Sequence, residues 1–384
     1  MYKSEMKEDQ QMKVFILTNV PVPYRVDFFN EIGKKCDLEV LFEQSADEQT
    51  HRSSNWFDGK FEMFKASFLY KDSEKRNVTK VTKFLKENKN NVIVIMGYSL
   101  PTEIYAISWL RFHRIPFILS CDGGFIKYHN DKKRLLKRFL VSSAKGYLST
   151  GNATDDFLTY YGAKEDRLFR IPFTTLFERD LPRRAATEIE KKQLRSELGI
   201  TESKVIVSVG QFIYRKGYDI LINSCRNLET NVGIYIIGSE PTEEYLTMRS
   251  SLNLNNLHFV GFKKKDELSK YYKAADLFVL PTREDIWGLV INEAMAYGLP
   301  VITTERCIAG LELVDEMNGR IVPIDDSDSL TTAIVEVLAN QKVISQMQQV
   351  SLSRIEGYTI ENMALVHMRI FKDFYNRRVK KSDD

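Results

Sequence analysis

Residues 281–302 read PTREDIWGLVINEAMAYGLPVI, and the stretch changes character twice. An apolar run closes at Pro281, an acidic loop follows, and from Gly288 apolar residues recur at helical spacing until Gly298 and Pro300 end them. That order is strand, loop, helix, strand. Upstream, the strands 205–210 (VIVSVG), 233–238 (GIYIIG), 257–262 (LHFVGF) and 276–281 (DLFVLP) follow the same rhythm; downstream come 300–304 (PVITT) and 319–323 (GRIVP), then helical stretches at 341–355 and 360–379. An earlier series covers 13–19, 38–43, 92–97, 116–121, 146–149 and 168–172. Continuous apolar strands alternating with helices predict parallel sheets covered on both faces.

The rhythm stops in 173–186, FTTLFERDLPRRAA, which reads as the linker between the two series. The predicted organisation is α/β, with a Rossmann-like domain over 1–178, a second over 179–358, and a helix over 359–384 that can cross back to the first. A chain of 384 residues exceeds what one hydrophobic core supports, so two domains are also expected from length. In such sheets ligands sit beyond the carboxyl ends of the strands, which places the expected active site in a cleft between two facing domains.

Composition, 43% hydrophobic and 28% charged, is that of a globular protein. A net charge of +3 is too small to imply nucleic acid. Cys36, Cys121, Cys225 and Cys307 form no CxxC pair and sit among apolar neighbours, which favours buried free thiols in a reducing cytosol. The charged start MYKSEMKEDQQMK lacks the apolar core of a signal peptide, so a cytoplasmic protein is expected.

The segment 281–302, with Asp285 and Glu293 in an acid-x7-acid spacing, resembles the signature of the retaining GT-B glycosyltransferases of family four. The resemblance covers nearly all of 200–340 and extends to the N-terminal half only as a general βα pattern. It implies the GT-B fold and a donor nucleoside diphosphate sugar, of UDP or GDP type, bound by the C-terminal domain. A helix opened by the amides of Trp287, Gly288 and Leu289 is an anion site suited to a diphosphate. Asp285 would reach the donor sugar and Glu293 the ribose hydroxyls, with Glu284 and Ile286 completing the loop. Family members carry glutamate at the first position, so Asp285 shortens the reach and leaves Glu284 as the alternative. The competing reading makes both acids ordinary helix-entry residues.

A second stretch, VSVGQFIYRKGY (207–218), resembles the family's phosphate-binding loop. Lys216 matches its lysine; Gln211 stands where the arginine is expected after Gly210, and Arg215 either replaces that charge or faces solvent. Gly238, Gly261 and Phe262 would complete the donor pocket, although an aromatic at a strand end is commonly core. Gly310 and Leu311 resemble a stretch whose amides bind phosphate, and Asn318 with Gly319 reads as a turn. The pairs Asp155/Asp156 and Asp325/Asp326 read as helix caps, and no metal site or cofactor is expected.

On the acceptor side, Pro23, Tyr24 and Arg25 would open the first helix, with Arg25 facing an anionic acceptor, the diphosphate, or only a surface partner. Asp122 in SCDGG is either a holder of sugar hydroxyls or a turn aspartate. In 127–141 Lys132, Lys133, Arg134, Lys137 and Arg138 flank Leu135, Leu136, Phe139 and Leu140, the pattern of either a membrane-surface helix or an ordinary domain helix. The combined expectation is a transferase of bacterial cell-surface polysaccharide or lipopolysaccharide biosynthesis. Its catalytic candidates are Asp285, Lys216, Glu293 and Asp122, and its acceptor is a saccharide or polyprenyl-linked saccharide. A sugar-nucleotide epimerase and a catalytically silent binding protein are the alternatives.

Overall fold

The structure, a computed structural model, describes residues 12–44, 60–69, 78–127 and 131–379. It divides into two compact units, one made of Met1–Thr174 with Thr359–Asp384, the other of Thr175–Tyr358. The change of unit at Thr174 precedes the sequence boundary at 178. The predicted linker belongs mostly to the second unit because it is tied there: Asp180 pairs with Lys265, and Arg184 grips Glu190 through two bonds of 2.7 and 2.9 Å.

In the first unit, β1 (Lys13–Thr18), β2 (Asp37–Phe42), β3 (Lys65–Phe68), β4 (Val92–Met96), β5 (Ile118–Ser120), β6 (Gly146–Ser149) and β7 (Leu168–Arg170) form one parallel sheet in the order β3-β2-β1-β4-β5-β6-β7. The centre is apolar on both faces: Val92, Ile93, Val94 and Ile95 are all buried. Sequence reading missed β3, whose KASF is short, partly exposed and at the sheet edge. The helix Ile360–Val379 packs in this unit, with His367 stacked edge-on to Phe28 at 4.6 Å and Phe371 beside it at 5.8 Å.

The second unit repeats the plan with β8 (Lys204–Val209), β9 (Val232–Ile237), β10 (Leu257–Val260), β11 (Leu277–Leu280), β12 (Val301–Thr304) and β13 (Gly319–Val322), ordered β10-β9-β8-β11-β12-β13. Its first helix, Glu188–Leu198, is bounded by a capping box from Thr187 and Glu190 and a left-handed Gly199. That helix carries Lys191 and Arg195 into the interior, where both meet Asp276 at 2.7 Å, and Asp276 also accepts the Val205 amide at 2.9 Å. The buried carboxylate thus fixes the N-terminal ends of β8 and β11 against the helix. In both sheets the strand order reverses beside the first strand, which is where loops diverge and a ligand crevice opens.

Candidate functional site

In the second unit the loops after β8 and β11 lie on either side of that reversal. Gly217, at φ 67°, lets the first loop press against the second; a Cβ there would collide with the Pro281 carbonyl. The approach sets the Lys216 ammonium 2.6 Å from Asp285 Oδ2, with both side chains mostly buried. Arg215 reaches the other carboxylate oxygen at 3.3 Å and donates to the Glu284 carbonyl at 2.7 Å, so it is committed to the loop while remaining half-exposed. Arg283 joins the same two loops through bonds of 2.9 and 2.5 Å to Asp219 and one of 2.6 Å to Asp325, with its guanidinium 3.9 Å from the Tyr214 ring centre. Its partners lie 64 and 42 positions away, so nothing local in the sequence marks it.

The loop then turns into the helix Leu289–Ala296 at Gly288, whose φ is 100° and whose absent Cβ makes room for Cys307 Sγ. Asp285 is anchored by its amide to the Arg306 carbonyl at 2.8 Å, and Arg306 also reaches Glu284 at 3.3 Å. Trp287 is buried, donating its indole N–H to Asn292 at 2.8 Å, so its ring serves as a wedge, while Ile286 is exposed. Leu289 opens the helix, where first-turn amides have no acceptor four residues back.

Glu293 stands apart from this cluster. Its carboxylate accepts from Tyr272 Oη at 3.0 Å and Thr175 Oγ1 at 3.4 Å, and burial raises its proton affinity, partly offset by Tyr272, Lys265 and Thr175. No hydrogen bond among the described residues joins it to Lys216 or Asp285. Gln211 is exposed beside Gly210, and Gly238 packs so close to the Gly210 carbonyl that any side chain would overlap it. Gly261 precedes Phe262, which is 69% exposed, so the core reading of that ring is wrong and its face is open. The amide of Leu311 is occupied by the Cys307 carbonyl at 3.1 Å inside the helix Ile308–Leu313, which corrects its expected part in phosphate binding. Asn318 and Gly319 do form the turn, with both amides on Asp315.

Asp326 caps the helix Ser327–Leu338, whereas Asp325 pairs with Arg283. Asp155 is no cap: Gly151 holds the N-cap position of the helix Asn152–Tyr160, and Asp155 binds Arg170 at 2.8 Å from its first turn. The four cysteines are buried and unpaired, and burial pushes the Cys121, Cys225 and Cys307 thiols up to about 12. Among the described residues no group of three His, Cys, Asp or Glu side chains gathers in a form that could hold a metal, and no helix is long and apolar enough to cross a membrane.

The first unit holds a second basic–acidic pair at the carboxyl ends of its strands. Pro23 occupies the first position of the helix Pro23–Gly33, and Tyr24 stacks edge-on against Phe173 at 5.8 Å. Arg25 binds Thr18 Oγ1 at 2.6 Å, Asn19 Oδ1 at 2.8 Å and Asp122 Oδ2 at 2.6 Å. It is therefore not the exposed surface partner of the alternative reading: its side chain is 11% exposed and paired with Asp122. Burial opposes that charge, but Tyr24 and Asp122 outweigh it and hold the guanidinium more firmly protonated. In the helix Asp131–Val141, Leu140 and Val141 turn inward, which removes Leu140 from the expected surface face, while Leu135, Leu136 and Phe139 stay exposed. Residues 128–130 of that segment lie outside the described residues.

The family match falls within the second unit. Residues 190–351 match the family model Glycosyl transferases group 1. This group 1 segment contains both loops of the Lys216–Asp285 pair. Among curated relatives, the chain is 30% identical over 194 residues to an uncharacterized glycosyltransferase of Methanocaldococcus jannaschii, covering 48% of each chain. It is 29% identical over 181 residues to a GDP-mannose-dependent phosphatidylinositol monomannoside mannosyltransferase of Mycolicibacterium smegmatis, covering 44% of this chain and 47% of that one. The chain thus spans about half the length of the curated relatives it matches. Among solved structures, Anabaena HepE in complex with UDP aligns with a TM-score of 0.72 at 16% identity, over 92% of this chain and 98% of that one. Sucrose-phosphate synthase of Thermosynechococcus elongatus aligns at 0.73 and 16%, over 95% and 100%. The fold is that of GT-B glycosyltransferases, two Rossmann-like α/β units.

Proposed function

We propose that the chain is a retaining glycosyltransferase whose second unit binds a nucleoside diphosphate sugar and whose product is a glycosylated saccharide or lipid-linked saccharide of cell-surface polysaccharide biosynthesis. The observation that carries this reading is the Lys216 ammonium, fixed 2.6 Å from Asp285 beside a helix start. As the bond from sugar to phosphate breaks, negative charge grows on the leaving diphosphate, and a cation already aimed there lowers the barrier. Asp285 holds Lys216 in place and keeps a carboxylate edge near the donor sugar; Arg215 adds charge where Gln211 has none. Carboxylates position the sugar rather than attack it, and the acceptor hydroxyl approaches on the face the nucleotide leaves. No metal or cofactor is assigned to the step.

Calorimetry with UDP, GDP, ADP and their common sugar conjugates, in the presence of a chelator, tests this. One nucleotide diphosphate should bind the wild type selectively, and Lys216→Ala should lower both that affinity and, by about 10²–10³, turnover with its sugar. Absence of nucleotide binding to the wild type would sink the proposal.

The exposed Leu135, Leu136 and Phe139, at 61, 47 and 40%, lie among exposed Lys132, Lys133, Arg134 and Arg138. Together with a matched relative named for transfer to phosphatidylinositol monomannoside, this supports work at the inner face of the cytoplasmic membrane. Basic residues near anionic lipid contribute about 1 kcal/mol each. Reversing Lys132, Lys133 and Arg134 to glutamate should therefore weaken sedimentation with phosphatidylserine vesicles by about 100-fold. Equal binding by variant and wild type would remove the membrane from the proposal.

A further inference from the structure

In the second unit the loops after β8, β11 and β13 are tied together at one side chain. Arg283 follows β11, and its guanidinium donates to both carboxylate oxygens of Asp219 at 2.9 and 2.5 Å, to Asp325 at 2.6 Å and to the Tyr214 carbonyl at 2.7 Å. Asp219 stands on the helix Tyr218–Ser224, and Asp325 lies between β13 and the helix Ser327–Leu338. Asp325 is held at φ 58°, a left-handed conformation that costs a residue with a Cβ energy and that its surroundings have to maintain.

Such a cation either grips an anion itself or holds something that does. Its bonds decide between the two. Four of its five N–H donors are taken, and two carboxylates outweigh its one charge, so one donor and no net positive charge are left for a phosphate. What it holds is the turn Tyr214–Lys216. The guanidinium binds the Tyr214 carbonyl, while the Arg283 amide and the Thr282 hydroxyl both donate to the Arg215 carbonyl at 2.8 Å. Two consecutive carbonyls are thus pinned just before Lys216, whose own amide closes the turn on Ile213 at 2.9 Å. With its backbone fixed and its side chain 12% exposed, Lys216 has little freedom except to point at Asp285.

We propose that Arg283 is a positioning residue of the donor site: it fixes the turn that aims Lys216 at the leaving diphosphate and does not itself bind the nucleotide. The inference rests on the reading of Lys216 given above. A cation aimed in advance needs no reorganisation as charge develops, and a misplacement on the order of 1 Å can cost about 10² in rate.

The test compares wild type, Arg283→Lys, Lys216→Ala and the double variant by calorimetry with UDP and GDP. Lysine keeps the charge but cannot reproduce the fork to Asp219. Arg283→Lys should weaken the tighter-binding of the two nucleotides by about tenfold. The double variant should bind no more weakly than Lys216→Ala, because a brace that acts through Lys216 then has nothing to aim. Unchanged affinity in Arg283→Lys, or a further tenfold loss in the double variant, would overturn the proposal. Asp325→Gly, which suits φ 58° and removes a half-exposed partner, replaces Arg283→Lys if that variant fails to fold, with an expected loss of about threefold. A second readout needs no nucleotide: in the full chain with carbon-13-labelled lysine, the Lys216 Cε signal, assigned through Lys216→Arg, should shift in Arg283→Lys. If neither UDP nor GDP binds the wild type, the donor reading fails and this signal alone decides whether Arg283 sets Lys216. A shift upholds the positioning role, and an unmoved signal ends it.

Discussion

At Lys216 and Asp285 two loops nearly seventy positions apart meet in one ion pair. Both residues were legible in the sequence because each sits in a compact local motif. Arg25 and Asp122, 97 positions apart, were singled out as well, but neither pairing was foreseen, since no stretch carries any mark of its partner. His367 was equally silent: a lone histidine in an apolar helix reads as core, and only the three-dimensional neighbours reveal its unpartnered nitrogen. Its burial has a measurable consequence. Desolvation lowers the His367 pKa to about 4, against pulls upward from the Met363 carbonyl and Asp122. Between about pH 6.5 and 4 the unfolded chain therefore binds the extra proton, so the contribution to stability is full above pH 6.5 and is lost as pH falls through that window. The loss is on the order of 3 kcal/mol. Denaturant titrations at pH 7 and 5 should show the wild type losing more stability than His367→Phe; parallel losses would disprove the assignment.

The elements meet their positions through backbone detail as much as through apolar pattern. Strands β4 and β8 were readable because they are continuous β-branched runs, and the helices Gln341–Ile355 and Ile360–Val379 because their periodicity is long. β3 was not, since an edge strand of four residues carries too little pattern. The register between the loops after β8 and β11 depends on Gly217. Replacing it by alanine imposes an unfavourable left-handed conformation and a clash with Pro281. Gly217→Ala should therefore destabilise the chain by roughly 2 kcal/mol or more and separate Lys216 from Asp285. A melting temperature and nucleotide affinity like those of the wild type would show that the loop relaxes without cost.

On the scale of the molecule, two Rossmann-like units of similar plan carry different amounts of recognisable sequence. The second is covered by the group 1 model over 190–351, whereas the first is legible mainly as a strand and helix alternation. A parallel sheet tolerates many apolar sequences, so its fold survives where its ligand does not declare itself. The first unit also takes its last helix from the far end of the chain. Ending translation after Tyr358 would remove Ile360, Met363, Ala364 and Phe371, all buried, and uncover Phe28. Calorimetric scans should show the truncated chain losing one transition while keeping that of the Thr175–Tyr358 unit; two retained transitions would contradict the division.

This interleaving of the chain also orders its birth. Residues 175–358 leave the ribosome as an uninterrupted block and can close their sheet while Met1–Thr174 waits for its final helix. At ~5–20 residues/s that wait lasts on the order of 10–40 s, long enough for the unfinished sheet to attract a chaperone. Loss of the helix Ile360–Val379 would thus injure Met1–Thr174, made well before it, and spare Thr175–Tyr358 between them.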